Sequence, residues 1–297
     1  MARILVVKLG ALGDVVLAFG PFAAIRARHP GDHVALLTTA PFADLARASP
    51  WFDEVLVDAR PSWRNLVGVA RLRRQLRGWD LVYDLQTSGR SARYFQLAGR
   101  PAWSGVAKGC SLPHRDPARD SVHTVERQRG QLSQAGITEF PDPDLAWLTE
   151  GGPRLPGPYA LLVPGAASHR PAKRWPARRF GVLAHRLHGR GLRSVVVGMA
   201  EEKSLADSIH DAWPAALDLT GQTSLLDLGG IAARASLVVG NDTGPVHLAA
   251  ALGCPTVVLF SGASDPALTA PRGPRVRVLR EAHLADMPVE RVAAALP

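Results

Sequence analysis

The chain has 297 residues, of which 46% are hydrophobic and 6% aromatic, and its formal net charge is +9. This length suits two domains of ordinary size, and the hydrophobic content is enough for two cores. No apolar stretch is long enough to span a membrane, and the first apolar run ends at Lys8, too early for a secretory signal. Cys110 and Cys254 form neither a metal-binding motif nor a disulfide framework. These features predict a soluble intracellular protein and argue against a secreted or membrane-spanning one.

The positive charge is compatible with nucleic acid, an anionic membrane or a phosphorylated substrate as partner. Only four of the 35 basic residues are lysines, which indicates a compositional bias towards arginine rather than selection for charge. The chain also lacks the interleaved aromatic residues and the recognised modules of nucleic-acid-binding proteins. A nucleic-acid partner is therefore the least favoured of the three.

Short apolar runs alternate with amphipathic stretches, which predicts strand–helix units and parallel sheets. The Gly- and Pro-rich residues 150–158 predict a linker between an N-terminal lobe, 1–150, and a C-terminal lobe, 151–297. Two doubly wound lobes bind ligands beyond the carboxyl ends of their strands, so we expect a cleft between them. The predicted strands are Ile4–Val7, His33–Leu37, Glu54–Val57, Leu81–Asp84, Ala102–Val106, Tyr159–Val163, Ser194–Val197, Leu237–Val239 and Thr256–Phe260. The predicted helices are Val15–Arg28, Leu66–Arg77, Val122–Ala135, Arg178–His188, Glu202–Ala212, Ser224–Ala233, Pro245–Leu252 and Pro288–Leu296.

The loop Lys8–Asp14 joins the first predicted strand to the first predicted helix. Its glycines permit a tight turn and close approach of a ligand, and the following helix offers free N–H groups and a positive dipole. The spacing of Gly10 and Gly13 is not the dinucleotide-binding fingerprint. Asp14 stands at the expected N-cap position, where its carboxylate can cap the helix, act in catalysis, or do both.

A second loop, residues 163–176, follows the first strand of the second lobe. Small residues, the hydroxyl of Ser168 and cations that include Lys173 make it a candidate phosphate-binding loop. The alternative is a basic surface loop in which Trp175 covers the sheet edge.

A third loop, residues 239–244, leads from an apolar strand into an Ala-rich helix. Asp242, Thr243 and the amide of Gly244 would meet at the helix N-terminus, an arrangement that suits a diphosphate, with His247 one turn further on. Taken singly, Asp242 or Thr243 could be a helix cap and His247 a buried core residue. Packing alone does not account for the whole string.

A fourth strand end leads into Glu201 and Glu202. A carboxylate at such a place can accept both hydroxyls of a ribose. The alternative is a stabilising acidic residue in the first turn of a helix.

In this order the loops resemble those of the bacterial heptosyltransferases, a family of glycosyltransferases with two Rossmann-like lobes in the GT-B architecture. The resemblance extends from the first strand to about Asp265-Pro266. The motifs that carry it are Gly10–Asp14, Pro164–Ala166 with Lys173 and Trp175-Pro176 downstream, and Asn241–Ala250.

The resemblance implies an inverting transfer of a heptose from ADP-heptose to the inner core of lipopolysaccharide. It implies that Asp14 is the general base for the acceptor hydroxyl. It implies that Lys173 binds the diphosphate, that the amides of Thr243 and Gly244 stabilise the leaving group, and that Glu202 or Glu201 binds the ribose. The remaining implied contacts are Ser168, Asp242 and His247 to the donor, and Lys8 and Gly13 to the acceptor.

No cofactor or metal is implied as essential, although Asp242 is a residue that a Mg²⁺ ion could use. Two departures concern the acceptor. Some family members carry serines where this chain has Gly10 and Ala11, and little sequence follows Val278 for a long crossing helix. Another transferase or an epimerase of nucleotide sugars remains the alternative enzyme, because the same fold hosts both.

The segment from Ala59 to Trp79 contains six arginines, no acidic residue, and the two tryptophans Trp63 and Trp79. A basic amphipathic helix with flanking tryptophans can rest on anionic lipid. The alternative is a helix packed on its sheet with a solvated arginine-rich face. For an anionic glycolipid acceptor, we expect peripheral contact with the cytoplasmic face of the inner membrane.

Overall fold

A computed structural model describes all 297 residues, and the chain forms two compact units, Met1–Trp147 and Leu148–Pro297. Each unit contains one six-stranded sheet, and all paired strands are parallel. Parallel sheets are covered by helices on both faces, so their central strands are apolar throughout. All five residues of the strand Tyr159–Val163 are accordingly buried.

The first unit has the strand order β3-β2-β1-β4-β5-β6, as in a doubly wound dinucleotide-binding fold. Its strands are β1 (Arg3–Val7), β2 (His33–Thr38), β3 (Glu54–Val57), β4 (Leu81–Asp84), β5 (Ala102–Gly105) and β6 (Leu112–Pro113). Its helices are α1 (Leu12–Val16), α2 (Phe19–Arg28), α3 (Ala40–Ala48), α4 (Leu66–Leu76), α5 (Gly89–Ala98) and α6 (Thr124–Gln134).

The second unit repeats this arrangement with the order β12-β11-β10-β7-β8-β9. Its strands are β7 (Tyr159–Val163), β8 (Arg193–Val196), β9 (Leu217–Asp218), β10 (Leu237–Asn241), β11 (Thr256–Phe260) and β12 (Val276–Arg280). Its helices are α7 (Ala177–His188), α8 (Lys203–Ala212), α9 (Leu225–Arg234), α10 (Gly244–Ala251), α11 (Pro266–Thr269) and α12 (Val289–Ala294).

Each unit has its own hydrophobic core. In the first unit, Leu72 and Leu76 of α4 pack with Trp103 of β5. In the second unit, Trp175 packs edge-on against Phe180, and Val292 of α12 joins the same cluster. The C-terminal helix is therefore part of the second unit's core. No helix in the structure has the length and apolar character needed to cross a bilayer.

The helix predicted over Val15–Arg28 is wrong as a single element, because α1 ends at Val16 and α2 begins at Phe19. Pro21 explains the interruption, since it lacks the N–H that would bond the carbonyl of Leu17 and its ring crowds that carbonyl. Six elements were not predicted from the sequence: β6, β9, β12, α3, α5 and α11. The first two have only two residues each, too few for a periodic pattern.

Candidate active site

The sequence motifs follow the strands at which the strand order reverses in each sheet. In the first unit this point lies between β1 and β4, and in the second unit between β7 and β10. Doubly wound sheets bind ligands at this place, beyond the carboxyl ends of the strands. The loops after β1, β7 and β10 therefore stand where a ligand site is expected.

In the second unit, Asp242 is the centre of a group of polar side chains. Its Oδ2 atom accepts hydrogen bonds from Lys173 Nζ at 2.5 Å and from Ser264 Oγ at 2.9 Å. Its Oδ1 atom lies 3.5 Å from His247 Nε2. The loops after β7, β10 and β11 thus converge on one carboxylate.

This carboxylate is 8% exposed, and burial alone would raise its pKa. The hydrogen bonds from His247 and Lys173, the charge of Lys173 and the hydroxyl of Ser264 outweigh burial and hold the pKa of Asp242 below its usual value. Asp242 is therefore ionised at neutral pH and paired with the Lys173 ammonium.

Helix α10 begins beside this group without a side-chain cap. Thr243 is the N-cap residue, but its side chain makes no capping hydrogen bond, and Asp242 is bonded elsewhere. The capping interpretation of both residues is therefore wrong. The backbone N–H groups of Thr243 and Gly244 donate to no acceptor in the structure. Free N–H groups at a helix N-terminus are well suited to an anion.

Asn241, which is fully buried, holds the loop after β7 in place. Its Nδ2 atom donates to the carbonyl of Pro164 at 2.7 Å, and its Oδ1 atom accepts from the N–H of Trp175 at 2.9 Å. These bonds fix the chain on both sides of Lys173. Neither Asn241 nor Ser264 was assigned a role from the sequence. The signal for each was a polar residue at or just beyond the end of an apolar strand.

Glu202 contacts the same loop after β7. Its carboxylate lies so close to Gly165, in that loop, that a Cβ atom at position 165 would overlap it. Its Oε2 atom also accepts a hydrogen bond from the N–H of Met199, in the loop after β8, at 2.9 Å. A side chain at position 165 would therefore displace the Glu202 carboxylate. Glu201 is exposed and forms no hydrogen bond or ion pair, so of the two candidates only Glu202 lies against the predicted phosphate loop.

Ser168 lies in an exposed turn of that loop, three residues before the short 3₁₀ helix Pro171–Lys173. No hydrogen bond joins Ser168 to the group around Asp242. Its contact with a donor stays a prediction.

In the first unit, the loop after β1 is fixed through the backbone of Leu9. The Leu9 N–H donates to Gln86 Oε1 at 2.8 Å, and its carbonyl accepts from Thr39 Oγ1 at 3.1 Å and Arg60 Nη2 at 2.9 Å. Gly10, with φ of +114°, adopts a conformation that favours glycine. A serine at this position would be strained.

Asp14 is the third residue of α1, and the N-cap position belongs to Ala11. The sequence-based expectation that Asp14 caps the helix is therefore wrong, because Asp14 lies one turn too late to do so. Its half-buried side chain makes no hydrogen bond or ion pair. The carbonyl of Gly13, the residue before Asp14, accepts a hydrogen bond from the N–H of Leu17 at 2.9 Å.

Two buried charged residues lie beneath this loop. Lys8 is 4% exposed, and its Nζ atom donates to the carbonyl of Leu85 at 3.2 Å. Burial lowers the pKa of Lys8, and the charges of Asp14 and Asp84 oppose that shift. Lys8 is thus covered by the protein, and its contact with an acceptor stays a prediction.

Asp84, at the end of β4, was not singled out from the sequence. It is fully buried, its Oδ1 atom accepts from the N–H groups of Gln86 and Thr87, and its Oδ2 atom has no partner. Burial raises the pKa of Asp84 from 3.8 to about 6.

Neither unit contains a group of three or more His, Cys, Asp or Glu side chains close enough together to hold a metal ion. Asp242, the residue considered for Mg²⁺, is bonded to an ammonium and a hydroxyl. That is not the set of oxygen ligands that Mg²⁺ prefers.

The architecture of this chain is shared with solved structures of known proteins. A glycosyltransferase family 9 structure from Veillonella parvula matches with a TM-score of 0.85 at 21% identity, covering 99% of this chain and 95% of that one. The structure of Escherichia coli heptosyltransferase WaaC with ADP matches with a TM-score of 0.82 at 23% identity, covering 98% of each chain. The protein therefore has the same two-domain α/β fold as these structures.

The family model described as glycosyltransferase family 9 (heptosyltransferase) matches residues 69–295, and the chain belongs to this family. Among named relatives, lipopolysaccharide heptosyltransferase 2 of Salmonella typhimurium is 26% identical over an alignment of 312 positions, which covers 94% of this chain and 88% of that protein. The protein is therefore an enzyme of the glycosyltransferase class, as the motifs implied.

Proposed function

We propose that this protein is an inverting glycosyltransferase that moves a heptose from ADP-heptose to the inner core of lipopolysaccharide. Family membership and the names of its relatives support this activity. The observation that carries the donor assignment is the group formed by Lys173, Asp242, Ser264 and His247 at the uncapped N-terminus of α10.

In this proposal the donor diphosphate binds between Lys173 and the free N–H groups of Thr243 and Gly244. Lys173 shifts part of its hydrogen bonding from Asp242 to the phosphate oxygens, and Asp242 keeps the hydroxyl of Ser264. Glu202 accepts the ribose hydroxyls. Ser168, Asp242 and His247 line the rest of the donor site.

The transfer step needs a base and stabilisation of the leaving group. Asp14 takes the proton from an acceptor hydroxyl while the hydroxyl oxygen forms a bond to the anomeric carbon from the face opposite the diphosphate. The bond from the anomeric carbon to the phosphate oxygen breaks, and its electron pair leaves with ADP. Lys173 and the two amides stabilise the negative charge that develops on the departing phosphate.

We propose that this charge stabilisation requires no resident metal, because an ammonium and two aligned N–H groups supply the positive potential. Turnover should persist in excess EDTA. A loss that Mg²⁺ restores would show that a metal enters with the diphosphate.

The acceptor we propose is an anionic glycolipid at the cytoplasmic face of the inner membrane, which the enzyme contacts peripherally. The basic residues of the first unit support this choice.

The proposal is tested with a panel of nucleotide sugars and acceptors, with products identified by mass and the new glycosidic linkage assigned by NMR. We expect a single heptose added from ADP-heptose with inverted anomeric configuration. Preferential use of another nucleotide sugar would reassign the donor. Epimerisation of a nucleotide sugar without any acceptor would replace the proposal by the alternative enzyme.

A further inference from the structure

Helix α4 of the first unit carries exposed aliphatic side chains at its beginning. Leu72 and Leu76 are buried in the core, whereas Leu66 is 77% and Val67 75% exposed. Apart from Met1, these are the most exposed large hydrophobic side chains of the protein. Single exposed aliphatic residues are ordinary, whereas Leu66 and Val67 are adjacent and form one small apolar patch.

The turn that presents this pair is held in a fixed conformation. Asn65 caps the helix by accepting the N–H of Gly68 at 3.0 Å. A Cβ atom at Gly68 would lie only 2.7 Å from Cβ of Pro61, which shows that the turn packs tightly on the preceding chain. Leu66 and Val67 are therefore displayed by an ordered helix start.

Unpaired positive charge surrounds the pair. Five arginines of this segment are exposed, and none of their side chains forms a hydrogen bond or ion pair; they are Arg64, Arg71, Arg73, Arg74 and Arg77. Elsewhere in the chain exposed arginines do pair, as Arg186 does with Glu290. Val67, Arg71 and Arg74 follow one another at helical spacing and share one side of α4. We call Leu66, Val67 and these five arginines the α4 surface.

We propose that the α4 surface docks on an anionic lipid bilayer, with Leu66 and Val67 entering the boundary between headgroups and acyl chains. The arginines then bind lipid phosphates, which supply the negative charge that the segment itself lacks. A second copy of this chain fits the surface poorly, because self-contact would bring arginines against arginines. The inference rests on the proposed function only for the choice of membrane, since lipid binding itself requires no substrate.

The experiment measures co-sedimentation with vesicles of phosphatidylglycerol and phosphatidylcholine. We expect Leu66→Gln/Val67→Gln to lower the partition coefficient by about tenfold, because the two side chains lose the burial of their apolar area. Its matched control is Val182→Gln on α7, which changes an aliphatic side chain that is 40% exposed and should leave binding unchanged.

The electrostatic part is tested by Arg71→Gln/Arg74→Gln, which should weaken binding at low salt and flatten its dependence on salt. Its control is Arg154→Gln/Arg178→Gln, which removes the same charge from exposed, unpaired positions of the second unit. Every variant is checked for its melting temperature with and without ADP. The expected result is that all variants fold and respond to ADP like the wild type.

Equal partitioning of Leu66→Gln/Val67→Gln and Val182→Gln would overturn the proposal. A change of oligomeric state in Leu66→Gln/Val67→Gln, with unchanged vesicle binding, would overturn it in favour of a contact between copies. Vesicle binding that follows the expected pattern in an enzyme without heptose transfer would contradict the proposed function and leave this inference standing.

Discussion

The loops after β1 and after β7 occupy the same place in two sheets of the same topology, yet their charged groups are arranged differently. In the second unit, the side chains satisfy one another, because Lys173, Ser264 and His247 all face Asp242. In the first unit, the backbone of Leu9 is the fixed element, and the carboxylate of Asp14 has no partner.

The difference matches the work that each loop is proposed to do. A general base must be free to accept a proton, so its positioning comes from the backbone around it. A cation that binds diphosphate is kept in place by a counter-ion until the ligand arrives, which avoids an unpaired buried charge. In the proposed mechanism, the first loop holds the general base without a bound partner, and the second holds an ion pair whose lysine exchanges the carboxylate for the diphosphate.

Replacing Asp14 with Asn tests the free base and should have the largest effect. The amide keeps the shape of the side chain but cannot take the proton, so turnover should fall by about 10²–10⁴-fold. The melting temperature and the affinity for ADP should change little, because Asp14 makes no bond in the fold. Asp142→Asn, at an exposed position of the same unit, is the matched control. Near-normal turnover would place the base elsewhere.

The buried carboxylates of the two units should respond to pH in opposite directions. The pKa of Asp84 rises from 3.8 to about 6 through burial, so the folded state binds more protons than the unfolded state in this interval. As the pH rises through this interval, ionisation of Asp84 therefore lowers the free energy of unfolding, by about 3 kcal/mol at most. The pKa of Asp242 is lowered, so its stabilisation is present above 3.8 and is lost as pH falls through its folded-state pKa.

Asp84→Asn and Asp242→Asn sharpen this contrast when urea unfolding is followed from acid to neutral pH. Relative to the wild type, Asp84→Asn should gain stability as pH rises, and Asp242→Asn should lose it. Parallel pH profiles for the wild type and Asp84→Asn would show that Asp84 is not the group that titrates in the fold.

Lys173→Ala tests the exchangeable ion pair. We expect the affinity for ADP to fall by about 10- to 100-fold, since a charge-assisted hydrogen bond to phosphate is lost. The loss should be much smaller for adenosine, which has no phosphate. Lys108→Ala, at an exposed position of the first unit, controls for the loss of a lysine. Equal losses for ADP and adenosine would place Lys173 away from the diphosphate.

The sequence predicted the strands that position both loops, because apolar runs in a parallel sheet are continuous and end abruptly at polar residues. The family resemblance implied that Lys173, Asp242 and His247 all contact the donor, and the structure brings these three side chains together. The sequence could not assign Ser264 or Asn241 to that site, since their contacts depend on which strand ends become neighbours. It placed Asp14 at the N-cap because the sequence does not show that α1 begins at Leu12.

The sequence also left Glu201 and Glu202 as alternative ribose ligands, and in the structure Glu202 contacts Gly165 of the loop after β7, whereas Glu201 is exposed. Glu202→Gln should lower the affinity for ADP by about tenfold, because a carboxylate accepts two hydroxyls better than an amide does. Glu201→Gln is the control within the same turn and should bind ADP normally, because Glu201 is exposed and makes no contact. Gly165→Ala should reproduce the loss, since the added methyl group would displace the Glu202 carboxylate. The loss should disappear for 2′,3′-dideoxy-ADP, measured by calorimetry in parallel. A loss that persists with this analogue would mean that Glu202 supports the loop and does not bind the ribose.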